Sequence, residues 1–205
     1  MRFYDGQHRL YCGVDLPTKR MYLCILDSEG NKRLHRNMRA KPDEFLSAIK
    51  PFREDLVVGA ECMFTWYWLA DLCLEEGIKF LLGHALYMKA IHGGKKKDDK
   101  LDSEKIARLI RGGTFPMSYV YPRQMRATRD LVRRRMFLVR RRSELLAHVQ
   151  LINQQCNCDP FEKVLKYAGN RDILDRFTED SVRQSVEADL RMVGHYDALL
   201  KRPLR

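Results

Sequence analysis

Four carboxylates in this chain are placed where they could do chemistry. Asp15 and Glu61 each close a short apolar run, Leu10 to Asp15 and Leu56 to Glu61. Asp99 and Asp102 open a helix that continues through Ile106 and Leu109. Positions 99, 102, 106 and 109 fall three or four apart, so the two acids extend the stripe that the apolar residues bury, away from Glu104, Lys105 and Arg108. Buried carboxylates without a partner are costly, and such a pair calls for a cation. Acids that end neighbouring parallel strands would lie side by side at the carboxyl edge of a sheet. Clustered carboxylates can hold two divalent ions about 3.5–4 Å apart, an arrangement that activates the attacking oxygen and neutralises the leaving one in phosphodiester chemistry. Each acid also has a plainer reading: a turn residue at a strand end, or a capped and solvated first helical turn with Asp98 or Asp99 as N-cap. Three acidic stations in one chain favour the chemical reading.

The second constellation is basic. Arg123, Arg126, Arg129, Arg133, Arg134, Arg135, Arg140, Arg141 and Arg142 crowd a segment whose one acid is Asp130, and Lys95, Lys96 and Lys97 precede the acidic helix. A basic surface helix can exist for solubility alone, but these arginines repel one another unless a polyanion offsets them. The guanidinium fork suits phosphate oxygens, so a salt-sensitive contact to a nucleic-acid backbone is the reading. The formal net charge of +11 points the same way, with a membrane surface as the weaker partner. No signal peptide opens the chain and no apolar run approaches the roughly 18 residues of a membrane span. The six cysteines form no framework: Cys12, Cys24, Cys62 and Cys73 sit in apolar segments and Cys156-x-Cys158 stands alone. A reduced, cytoplasmic, nucleoid-associated protein of a bacterium or archaeon is expected. The histidines show no metal or triad spacing, and there is no phosphate-binding loop or dinucleotide fingerprint.

The elements that must position these residues follow from pattern. Strands are expected at 10–15, 21–27 and 32–39, the last two joined by a turn at Ser28-Glu29-Gly30-Asn31. A helix starts after Lys41-Pro42-Asp43. The run 56–61 reads as a central strand buried on both faces, Phe64 to Cys73 as an aromatic-rich helix stopped at Gly77, and 78–82 as a further strand. Phe64, Trp66, Tyr67 and Trp68 could stack on bases, but read as helix and core packing. The acidic helix ends at Gly112-Gly113, and Met117 to Tyr121 reads as extended. A long helix runs from Arg123 to about Gln154. A second begins near Asp172, with Val182, Val186, Leu190 and Val193 spaced as in a coiled coil. This is an α/β chain: a mixed sheet with flanking helices, then a long helical coiled-coil extension.

Tyr11-Cys12-Gly13-Val14-Asp15, Gly59-Ala60-Glu61 with Trp66-Tyr67-Trp68, and Lys97-Asp98-Asp99-Lys100-Leu101-Asp102-Ser103 resemble the DEDD transposases of the insertion sequence 110 family, as do Tyr119 to Pro122 and Arg126 to Asp130. That family includes Piv-type invertases and bridge-RNA-guided recombinases. The resemblance implies an RNase H/RuvC-like domain over 1–122 and a basic helical, coiled-coil region over 123–205. It implies a tetrad of Asp15, Glu61, Asp99 and Asp102 that binds Mg²⁺ (or Mn²⁺), with Asp98 as a charge neighbour. It further implies DNA and a structured guide RNA as partners, and a homo-oligomer, dimer or tetramer, formed through the coiled coil. Members of the family continue into a domain bearing a nucleophilic serine. No residue here corresponds to it, Ser181 and Ser185 included, so this chain is expected to bind metal and nucleic acid without completing strand exchange. The alternatives are a Holliday-junction resolvase or other RNase H-fold nuclease using the same acids, and a non-catalytic nucleic-acid-binding remnant. An actin-like sugar kinase shares the opening strands but leaves the arginine helix unexplained.

Overall fold

Apolar runs alternate with helical spacing through the first 120 residues, and the computed structural model resolves that alternation into one mixed sheet. It describes residues 2–91 and 99–201, with the backbone alone for 89–91 and 99. The strands are β1 (Phe3–Tyr4), β2 (Leu10–Asp15), β3 (Arg20–Asp27), β4 (Lys32–Arg39), β5 (Leu56–Glu61), β6 (Lys79–Gly83) and β7 (Phe115–Ser118). Their order across the sheet is β1-β7-β6-β5-β2-β3-β4. The β2–β5 and β5–β6 pairs are parallel, and β2–β3, β3–β4 and β6–β7 are antiparallel. Helices α1 (Pro42–Ile49), α2 (Trp66–Glu75), α3 (Ala85–Ile91) and α4 (Asp99–Arg111) complete this unit, Met1–Arg123. It is the RNase H/RuvC-like α/β architecture.

The pleat sorts side chains between two cores. Cys12 and Val14 of β2 and Val58 and Ala60 of β5 join Phe45, Ile49, Leu69 and Cys73 from α1 and α2 on one face. Tyr11 of β2 and Val57 of β5 join Ile106, Leu109 and Ile110 of α4 on the other. Burial pushes the Cys73 thiol up to about 12 and Cys24 up to about 11, and raises Cys12 well above its ordinary value. These three cysteines are therefore inert core residues.

The register of β2 against β5 is held at the opposite end from the acids. Asp55, with a left-handed backbone (φ 54°), pairs with His8 Nδ1 at 2.6 Å and accepts the Arg9 amide at 2.8 Å. His8 in turn meets the Tyr4 hydroxyl. The His8 hydrogen bond, then the Arg9 amide, hold the Asp55 carboxyl below its usual range. A lowered folded-state pKa adds stability above the ordinary carboxylate value, and that stability is lost as pH falls through the folded value. Asp55→Asn keeps a residue that tolerates the left-handed backbone. Its melting temperature should lie below wild type at neutral pH, with the gap closing as pH falls below about 4. A gap independent of pH would refute the latch.

Five of these elements differ from the sequence expectation. Strand β1 and helix α3 carry no pattern long enough to announce them. Helix α2 starts at Trp66 rather than Phe64, and β7 lies earlier than the expected extended piece. In the unit Gln124–Arg205, α5 (Arg123–Gln155) is followed by short turns at Ala168–Asn170 and Leu174–Arg176, so α6 (Asp180–Lys201) begins later than Asp172. The chain folds back first because Phe177 is buried and the Arg183 guanidinium donates to its carbonyl at 2.9 and 3.2 Å. Helices α5 and α6 form an antiparallel hairpin. Arg135 near one end reaches the Leu200 carbonyl (2.7 Å), Arg142 pairs with Asp197 (2.7 Å), and His148 pairs with Asp189 (2.6 Å). Val186 packs with Val149, Ile152, Leu165 and Phe177, and Val182 and Leu190 border that cluster. Most of the coiled-coil stripe thus packs within one chain. No helix among the described residues is long and apolar enough to cross a membrane.

Candidate active site

The alternation that sorts the cores also places the acids. On β2 the residues facing α4 are Tyr11 and Gly13, and Asp15 is the next in that period of two. On β5 they are Val57 and Gly59, followed by Glu61. The parallel register pairs Gly13 with Gly59 and Val14 with Ala60, so Asp15 and Glu61 end adjacent strands one step further on. Both are half-buried. Two strand-end acids therefore share one edge and one face of the sheet.

Helix α4 crosses that face at close range because two glycines make room. A Cβ on Gly13 would lie 2.1 Å from the Ser103 carbonyl oxygen and 2.5 Å from the Ala107 nitrogen, and one on Gly59 would lie 2.4 Å from Ile110 Cδ1. The β3–β4 hairpin braces the helix along its length. His35 Nε2 lies 3.0 Å from the Lys100 carbonyl, Lys32 pairs with Glu104 at 2.7 Å, and Arg111 donates to the Ser28 carbonyl in the hairpin turn at 3.2 Å. The last turn of α4 thus lies by the hairpin turn. Its first turn, the one with Asp99 and Asp102, lies toward the end of the sheet where β2 and β5 finish.

The buried stripe of α4 runs through Ser103, Ile106, Ala107, Leu109 and Ile110. Asp102 flanks it, half-buried, with Lys105 Nζ at 2.9 Å. Glu104, which the helical spacing assigned to water, is instead more enclosed than Asp102 (13% against 30% of the side chain exposed), because Lys32 reaches over it from the edge strand. Burial raises the Glu104 pKa, but hydrogen bonds from Lys32 and Arg108 outweigh it and leave the carboxyl below its usual range. Glu104 is thereby a brace of α4. The side chain of Asp99, and Lys95, Lys96, Lys97 and Asp98 altogether, lie outside the described residues. Among the described residues no three His, Cys, Asp or Glu side chains converge on an ion-sized space.

The arginines divide in two. Arg126 is buried, Arg129 pairs with Asp130 at 3.0 Å, and Arg135 and Arg142 turn inward to Leu200 and Asp197. Arg135 and Arg142 thereby serve the helical hairpin. Arg123, Arg133, Arg134, Arg140 and Arg141 are exposed. Arg134 and Arg141 flank the Phe137 ring at 5.0 and 5.2 Å, and Arg141 also pairs with Glu144 at 2.6 Å. The sequence reading missed Gly13 and Gly59 as parts of the site. Their signal was available, since each precedes its acid by one strand period. His35 and Lys32 had none, because a polar edge strand does not say which helix it will brace.

No curated protein matches the chain. Residues 12–155, well over half of its length, match the family model of DEDD transposases from insertion sequence 110, described as a transposase. The match takes in both strand-end acids, the crossing helix and the whole of α5. The chain therefore belongs to the insertion sequence 110 family of DEDD transposases, enzymes that transfer DNA.

Proposed function

We propose that Asp15, Glu61, Asp99 and Asp102 form the metal-binding tetrad of a mobile-element transposase and take part in its cleavage of DNA strands, guided by a structured RNA. The observation that carries this is the shared face: β2 and β5 present Asp15 and Glu61 on the side that α4 crosses, with the Asp102 turn directed to the same end. Four carboxylates are hard oxygen donors, a set that suits Mg²⁺ or Mn²⁺ and not a soft metal. When bound, such ions supply the charge that makes a phosphodiester oxygen attackable and its leaving group tolerable. The protein's own part is to hold the acids on two rigid strands and one braced helix. Lys105 orients Asp102 and offsets part of its charge. The exposed arginines of α5, and Lys95 to Lys97, supply phosphate contacts for DNA and guide RNA. A homo-oligomer, dimer or tetramer, would draw on apolar residues that α5 leaves exposed, such as Val132 and Met136, because most of the α6 stripe is spent within the hairpin.

Calorimetric titration with Mn²⁺ tests the site directly. Wild type should bind saturably, in the absence or the presence of DNA, and Asp99→Ala/Asp102→Ala should not. Equal binding by a folded double variant would show that the metal lies elsewhere.

A further inference from the structure

The aromatic group that follows Glu61 is divided by the fold. Trp66 is buried among Ala70 and Leu82, Trp68 packs against the core beneath α1 and α2, and Tyr67 stands edge-on to Trp66 at 4.5 Å between ring centroids. Phe64 alone is turned out, with 96% of its surface exposed, beside a half-exposed Met63. Scattered apolar residues on a surface are ordinary, but this one stands on a loop whose residues on either side are hydrogen-bonded. The Cys62 amide donates to the Gly83 carbonyl at 2.9 Å, and the Met63 amide donates to the Glu61 carbonyl at 2.7 Å. The Thr65 hydroxyl donates to the carbonyl of Leu16, the residue after Asp15. The loop therefore bridges the ends of β5 and β2, the two strands that carry the acids. Its bare ring is set three residues beyond Glu61.

We propose that Phe64 is a base-stacking residue: it receives the face of an unpaired nucleobase in the DNA strand held at the acidic edge. This rests on the proposed DNA chemistry at Asp15 and Glu61 and names a further contact in the same site. Three features choose a nucleobase as occupant. The chain carries a formal charge of +11 and belongs to a family that acts on DNA. The loop that carries the ring joins the ends of the two strands that carry the acids. An aromatic face stacks on any base without needing hydrogen bonds, and only where duplex neighbours do not already cover that base. A tethered loop loses little freedom when it stacks, so the ring is prepared for its partner.

The test uses the full chain with Ca²⁺ and a DNA duplex that contains a short unpaired bubble carrying 2-aminopurine. Wild type should bind and quench the probe, and Phe64→Tyr should do the same. Phe64→Leu and Phe64→Ala should still associate through the basic surface but lose the quenching, with affinity for the bubble lower on the order of ten-fold. Affinity for uninterrupted duplex should not change. Quenching and affinity equal to wild type in Phe64→Ala would overturn the proposal while leaving the acid-edge reading intact. So would a variant that altered only self-association, since the ring would then cover a second copy of the chain. Failure of wild type to bind either DNA would overturn both.

Discussion

Glu61→Gln should lower the metal-dependent DNA strand cleavage proposed for this edge by at least about 100-fold. The substitution keeps the size of the side chain and its place at the end of β5, where it is half-buried, and removes the negative charge alone. DNA affinity should stay the same or rise slightly, because one like charge has been taken from the edge proposed to face the phosphates. Asp15→Asn should behave in the same way, since the strand register sets the two acids side by side. Nicking of supercoiled plasmid in Mg²⁺ and fluorescence anisotropy with labelled DNA separate the two effects. Cleavage retained by both variants would place the chemistry away from this edge. Loss of DNA binding along with cleavage would mean that the substitution had disturbed the fold rather than the charge.

Gly13→Ala should cause the second large effect, on the acidic helix. The added Cβ would sit 2.1 Å from the Ser103 carbonyl oxygen and 2.5 Å from the Ala107 nitrogen. Both are backbone atoms, so no side chain can rotate to relieve the overlap and α4 itself must move. Overpacking of this kind costs roughly 1–3 kcal/mol or more, which corresponds to a melting temperature lower by about 5 °C for a chain of this size. The same displacement shifts the turn that carries Asp99 and Asp102 relative to Asp15 and Glu61, so Mn²⁺ affinity should fall too. Gly77→Ala is the control. Its backbone is left-handed (φ 65°) but its surroundings are open, so it should lower the melting temperature modestly and leave Mn²⁺ binding unchanged. If Gly13→Ala binds metal like wild type, close approach of α4 does not set the site.

The features legible in the sequence are those written in local pattern. Leu10–Asp15 and Leu56–Glu61 read as strands because an apolar run bounded by turn signals has few other uses, and the acid that ends each run was visible as such. The hairpin at 27–31 was equally plain, with Gly30 at φ 91° and Asn31 hydrogen-bonded to Asp27. The long α5 helix followed from its length and spacing. Elements too short to carry a period were not legible: β1 is two residues and exists because β7 pairs with it, and α3 is seven residues after a strand end.

The chain's local order thus determined on its own which residues could act: two strand-end acids, an acidic helix and an arginine-rich helix in a basic protein. Only tertiary structure decided which of them share a space. Whether Glu104 faces water depended on Lys32 from an edge strand, because helical spacing gives an angle around an axis and says nothing of what stands opposite. Whether an arginine is available to phosphate depended on Asp197 and the Leu200 carbonyl, which arrive from α6. Phe64 left the aromatic cluster because its neighbours filled the core and the Thr65–Leu16 hydrogen bond set the loop. Pattern along a chain records what each residue prefers, whereas burial and pairing depend on partners distant in sequence, and only the folded chain brings those together.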